Sequence, residues 1–70
     1  MTKVVVDLVA TRRKREIVLD GDNPTVLTLL KALGMQRERV VVRRNLKVLI
    51  EEEKLCDGDV VEIIPIISGG

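Results

Sequence analysis

Val60-Val61-Glu62-Ile63-Ile64-Pro65-Ile66-Ile67-Ser68-Gly69-Gly70 is the stretch that decides how this chain is read. Val60 to Ile67 has the apolar, β-branched character of a strand. Side chains alternate between faces along a strand, so Glu62 marks the wetter face and takes Val60, Ile64 and Ile66 with it. Val61, Ile63 and Ile67 then face the core. Pro65 has no N–H to give to a ladder, which places it at the strand's end or on a free edge. After the strand come Ser68, Gly69 and Gly70, read as a flexible tail of residues 68–70 behind a folded unit of residues 1–67. Two glycines present bare backbone, so such a tail fits a channel too narrow for a β-carbon.

Working outward, Asp57-Gly58-Asp59 is turn chemistry that feeds the last strand. Glu51-Glu52-Glu53-Lys54 is a charged surface stretch anchored by Leu55. Val40 to Arg44 reads as a strand, Asn45-Leu46-Lys47 as its turn, and Val48 to Ile50 as a short return strand. Upstream, Thr25 suits a helix N-cap, because its hydroxyl can accept an orphan backbone N–H. Val26, Leu29, Leu30 and Leu33 follow the spacing of a one-sided helix, and Gly34 suits the left-handed position that ends it. A helix this short is unstable alone and must lie on a sheet. Met35 to Arg39 is a polar connection.

Lys3 to Ala10 and Arg15 to Leu19 read as two strands of a hairpin, broken at Thr11-Arg12-Arg13-Lys14. Val4, Val6 and Leu8 share one face of the first strand; Val5, Asp7 and Val9 share the other. Asp20-Gly21-Asp22-Asn23-Pro24 closes the hairpin unit. The order is strand, strand, helix, strand, short strand, strand. One helix across one face of a small mixed sheet follows: an α+β fold. A single helix leaves the face of Ile64 and Ile66 uncovered, so these two are expected to form a docking surface for a partner protein.

Composition removes several kinds of function. Seventy residues make one domain with a thin stability margin. There is no Phe, Tyr or Trp, so the core is built from Val, Ile and Leu. Without His, and with Cys56 the sole soft ligand, no zinc site and no Ser-His or Cys-His nucleophile pair can be assembled. Neither catalytic nor metal-binding residues are therefore expected. A lone cysteine fits a reducing compartment, and Cys56 reads as a small half-buried residue. No apolar run approaches the ~20 residues of a membrane span, and Met1 leads straight into a strand pattern. A cytoplasmic location is the expectation. Arg12, Arg13, Lys14 and Arg15 form one basic cluster; Arg37, Arg39, Arg43 and Arg44 form a second. Both read as solvated edges offset by Glu16 and Glu51 to Glu53, since net charge is only +1.

The element order resembles the β-grasp, or ubiquitin-like, fold. Leu55 through Gly70, with its leucine, Gly58-Asp59 turn, apolar strand, Pro65 and terminal Gly69-Gly70, is similar to the end of the small sulfur-carrier proteins. Those carriers serve thiamin thiazole and molybdopterin synthesis, and archaeal ubiquitin-like small modifiers share the pattern. Thr25-Val26, Leu29-Leu30 and Asn45 match as well. Arg43 and Arg44 stand where carriers usually have small or apolar residues, and Leu46 where glycine is common.

The resemblance implies a carrier rather than an enzyme, with no bound cofactor. An E1-like adenylating enzyme would spend ATP on the Gly70 carboxylate, which is otherwise ionised (pKa near ~3.5) and a poor electrophile. A sulfur donor would then convert Gly70 to a thiocarboxylate. The sulfur would pass to a sulfur-accepting synthase or serve tRNA thiolation; alternatively the acyl group would join target-protein lysines. Three extended residues reach about 10 Å, enough to enter an active site while the domain stays outside. The rival reading is a β-grasp module that binds RNA or protein without tail chemistry. The absence of any aromatic side chain to stack on bases argues against nucleic acid.

Overall fold

The computed structural model describes residues 1–66. The expected helix-facing Ile67 and the tail residues Ser68, Gly69 and Gly70 lie outside the described residues. The strands are β1 (Thr2–Leu8), β2 (Arg13–Leu19), β3 (Val40–Arg44), β4 (Lys47–Leu49) and β5 (Val60–Pro65), with one helix, α1 (Val26–Leu33). A single 3-10 turn, Arg37–Arg39, lies between α1 and β3.

The five strands form one sheet in the order β2-β1-β5-β3-β4. β1 and β5 are parallel, with Val5 opposite Val60 and Leu8 opposite Ile63. β5 is antiparallel to β3, with Val40 opposite Pro65 and Val42 opposite Ile63. The two outer pairings, β1–β2 and β3–β4, are hairpins. β5 is thus a central strand, and it ends at Pro65, where a missing N–H costs the ladder nothing.

Alternation fixes the core. Val4 and Val6 from β1, Val61 and Ile63 from β5, Val42 from β3, Leu49 from β4 and Leu19 from β2 all bury onto α1. The helix answers with Val26, Leu29 and Leu30, while Leu33 packs at the margin. Leu55 is fully buried and plugs the core beneath the helix start. Its N–H donates to the Pro24 carbonyl at 2.7 Å, which pins the crossing segment to the turn before α1.

The caps explain why so short a helix holds. Thr25 Oγ1 accepts from the Thr28 N–H, and Thr28 Oγ1 accepts from the Thr25 N–H, both at 3.3 Å. The next orphan donors are met from outside the helix: the Val26 N–H by the Glu53 carbonyl and the Leu27 N–H by the Glu51 carbonyl. At the far end Gly34 adopts φ 70°, and its N–H returns to the last turn. The acidic run Glu51–Glu53 therefore has a structural duty carried by its backbone, which its charge alone does not advertise.

Five sequence expectations shift. The first strand is Thr2–Leu8 rather than Lys3 to Ala10, because Val9 and Ala10 already belong to the turn. The last strand ends at Pro65 rather than running to Ile67. The second strand begins at Arg13 rather than Arg15, because Arg13 and Lys14 pair with Leu8 and Asp7. The return strand is Lys47–Leu49 rather than Val48 to Ile50. Cys56 is exposed, not half-buried. Its N–H donates to Asp59 Oδ2 at 2.8 Å, and that turn holds the residue outward.

Asn45 (φ 52°) and Leu46 (φ 68°) both have positive φ and link Arg44 to Lys47, the two-residue geometry that suits a twisted hairpin. Asn tolerates this region; leucine does not. Leu46 is 85% exposed, so no packing offsets its strain. Leu46→Gly is expected to raise stability by about 0.5–1 kcal/mol, the left-handed penalty less the extra chain entropy of glycine. Thermal melts followed by circular dichroism will check this; an unchanged or lower midpoint removes strain at Leu46 as an account of the turn.

Candidate functional site

α1 covers one face of the sheet and leaves the other open. On that open face lie Val60, Glu62 and Ile64 from β5, Val5 and Asp7 from β1, and Val41 and Arg43 from β3. The expected division holds: Val61 and Ile63 are buried, whereas Val60 is 52% and Ile66 51% exposed, and Ile64 is half-buried. Ile66 follows the end of β5, and its N–H donates to the Arg39 carbonyl at 2.8 Å. The structure therefore puts both expected docking residues, Ile64 and Ile66, at the end of β5 from which the chain leaves the sheet.

Register adds what the sequence reading lacked. Val41 lies directly across from Ile64, extending that apolar patch onto β3. Val5 lies directly across from Val60, making a second apolar pair. Alternation in β3 would have put Val41 on the face of Arg43, but only the β3–β5 register shows which apolar residue it meets.

Between the two apolar pairs sits an ion pair. Arg43 Nε donates to Glu62 Oε1 at 2.9 Å and Arg43 Nη2 to Glu62 Oε2 at 3.2 Å, two parallel contacts across adjacent strands. These hydrogen bonds hold the Glu62 carboxyl below, and the Arg43 guanidinium above, their ordinary values. The same contact explains why a chain with an arginine at position 43 tolerates it on a half-covered face. Arg44 makes the other unusual choice workable: its Nη1 donates to Asp59 Oδ2 at 2.7 Å, tying the β3–β4 hairpin to the turn before β5. Arg37 pairs with Glu38 and Glu51. The second basic cluster expected from sequence is thus largely neutralised, and of its four arginines Arg39 alone makes no ion pair among the described residues.

Among the described residues no group of three or more His, Cys, Asp or Glu side chains is placed to hold a metal ion. No described helix is long and apolar enough to cross a membrane. Gly70, the expected attachment point, lies outside the described residues together with Ser68 and Gly69.

Comparisons with known proteins agree with the fold. A family model described as the ThiS family matches residues 5–70. The sulfur carrier protein ThiS of Bacillus subtilis (strain 168) is 34% identical over 60 residues, covering 80% of this chain and 91% of that protein. The crystal structure of a thiamine biosynthesis protein (ThiS) from Geobacter metallireducens aligns with a TM-score of 0.68 at 28% identity, over 99% of this chain and 100% of that one.

The Glu62 shift gives a pH test of the open face. A carboxylate whose pKa is lowered in the folded state adds stability above its unfolded value of about 4.3, and that contribution disappears as pH falls through the folded value. The difference in melting temperature between the native chain and Glu62→Gln is therefore expected to be largest above pH 5 and to shrink on acidification below about 4.3. A difference that stays constant from neutral pH to acid means that the Arg43–Glu62 contact contributes nothing in solution.

Proposed function

The chain belongs to the ThiS family, and from that premise we propose that it is a sulfur carrier of thiamin biosynthesis, loaded at the carboxylate of Gly70. The observation that supports this most is the extent of the family match, residues 5–70, which runs through the terminal glycines as well as the fold. The relatives' own names favour thiamin over the molybdopterin and tRNA alternatives.

The chemistry follows from what a carboxylate lacks. In this reading a Gly70 carboxylate oxygen attacks the α-phosphorus of ATP on a separate adenylating enzyme, and pyrophosphate leaves. The terminal sulfur of a persulfide then attacks the acyl carbon and expels AMP. A thiol cleaves the resulting acyl disulfide, leaving a thiocarboxylate on Gly70 and a disulfide on the thiols. A lysine amine attacking the same adenylate would give an isopeptide instead. Nothing in these steps asks the carrier for a base, a metal or a nucleophile other than its own terminus. The protein is a co-substrate: it supplies a handle and a reach.

The handle is the open face. Ile64, Ile66 and Val41 offer an apolar patch beside the strand's exit, with the Arg43–Glu62 pair at its edge. Burial of such a patch against an enzyme favours binding by roughly 25 cal/mol per Å² of apolar surface, before the costs of association.

Two measurements check the reading. With an adenylating enzyme and ATP, the native chain is expected to support pyrophosphate exchange, and a variant carrying one further residue after Gly70 is not. Equal exchange by both rules out loading at Gly70. Ile64→Glu is expected to weaken enzyme binding while lowering stability by less than about 1 kcal/mol, as for a half-exposed site. Unaltered affinity would place the docking surface elsewhere.

A further inference from the structure

The net charge of +1 conceals a segregation that only the topology brings out. β1 and β5 run in parallel, so the turn that follows β1 flanks the end of β5. The Val9 N–H donates to the Ile63 carbonyl at 3.2 Å, and the turn beyond carries Arg12, followed by Arg13 and Lys14. On the other flank β3 begins, with Val40 opposite Pro65 and the Arg39 carbonyl holding the Ile66 N–H. The chain therefore leaves the sheet between two loops, and each loop carries exposed cations.

Lys3, Arg37, Arg43 and Arg44 all close ion pairs. Arg12, Arg13, Lys14 and Arg39 are exposed and close none among the described residues. Eight of the twelve cations close no ion pair among the described residues; Arg15, Lys31, Lys47 and Lys54 are exposed and unpaired as well, so position rather than pairing sets the four beside the β5 exit apart. Asp7 and Glu62 face Arg12 and Lys14 across a shallow hollow without reaching them, and Glu62 is already engaged by Arg43. Glu38 is likewise engaged by Arg37. Between the two loops lies a hollow of ≈ 170 Å³ lined by Leu8, Ala10, Thr11, Met35, Val40, Ile63 and Pro65. Asp20, Asp22, Asp57 and Asp59 lie at the opposite end of the sheet, in the turns after β2 and before β5.

Edge protection explains cations along β2, since charge on an edge strand discourages strand pairing. It does not explain Arg39, which lies on no edge strand. Nor does it explain Arg12, a long charged residue held at φ 55°, where Asn or Gly would sit without strain. What Arg12 and Arg39 have in common is their position beside the exit of β5.

We propose that Arg12, Arg13, Lys14 and Arg39 form a cationic collar that matches a rim of Asp and Glu side chains around the mouth of the partner's channel. This rests on the carrier reading, in which the tail must be threaded into an enzyme. Charge gathered at the point of entry orients the carrier tail-first during encounter. Steering of this kind raises association rates by about 10- to 1,000-fold at low salt and fades with ionic strength.

The test is pyrophosphate exchange with the cognate adenylating enzyme, run across a salt series. Arg12→Asn/Arg39→Gln removes one cation from each loop, with Asn chosen because it accepts positive φ. It is expected to raise KM by about tenfold near 20 mM salt, with the gap to the native chain closing as screening shortens the range of the field. A control, Lys47→Gln/Lys54→Gln, removes the same charge from the other end of the sheet and is expected to leave KM as it was. Equal KM for the collar variant and the native chain overturns the proposal; so does an equal rise in both variants, which would mean net charge alone. A native chain that supports no exchange at all is a different outcome, which removes the carrier reading and the collar with it. Binding of a mixed-sequence RNA oligonucleotide that the collar variant loses, with exchange unaffected, would overturn it in favour of nucleic acid. Melting curves of both variants establish that each is folded.

Discussion

The parallel pairing of β1 with β5 is the constraint on which the structure depends. It joins the first strand to the last at the middle of the sheet and brings Val4, Val6, Val61 and Ile63 together under the helix. Parallel neighbours need a long crossover, and here everything between Leu8 and Val60 serves as one. The two hairpins can form locally, but neither has a covered face until β1 and β5 meet. Closing that contact costs chain entropy before it returns any burial, so the folding barrier is set by a non-local event. The same pairing places the first turn beside the end of β5, which is how residues near position 12 come to flank a strand end more than fifty positions away.

The helix was the most legible part of the sequence, because its signals are local. Thr25, the stripe Val26, Leu29, Leu30 and Leu33, and Gly34 all fell where they were read, down to the left-handed residue that ends α1. The faces of β1 and β5 were legible for a related reason: a single acidic residue in each, Asp7 or Glu62, fixes the side of every other residue. Ile64 and Ile66 were placed on the open face by that argument alone. Partner and register were not legible. Val41 against Ile64 and Arg43 against Glu62 depend on which strands adjoin and by what offset, and alternation is silent on both.

The arginines show the cost of reading charge without register. By proximity in sequence, Arg37, Arg39, Arg43 and Arg44 form one basic cluster. In space three of them are committed to Glu51, Glu62 and Asp59, partners up to nineteen positions away, and Arg39 stands apart from them. The exposure of Cys56 was missed on similar grounds. A leucine on one side and a turn on the other suggest partial burial, yet the turn itself, closed by Asp59 onto the Cys56 N–H, directs the thiol outward. Leu46 departs from local preference in a way that the sequence did announce: it occupies a position where glycine is common, and its φ of 68° shows why.

The parallel central pair also has a mechanical consequence. Met1 lies at one end of β1, and the chain leaves β5 at the opposite end of the sheet. A pull applied between the two ends runs along both strands and loads their shared hydrogen bonds together, in shear. A hairpin pulled from its open end would instead give up its bonds one at a time, as a zip does. The fold is thus braced against tension delivered through its own tail. Force applied along the chain where it leaves β5 meets the strongest direction of the sheet first.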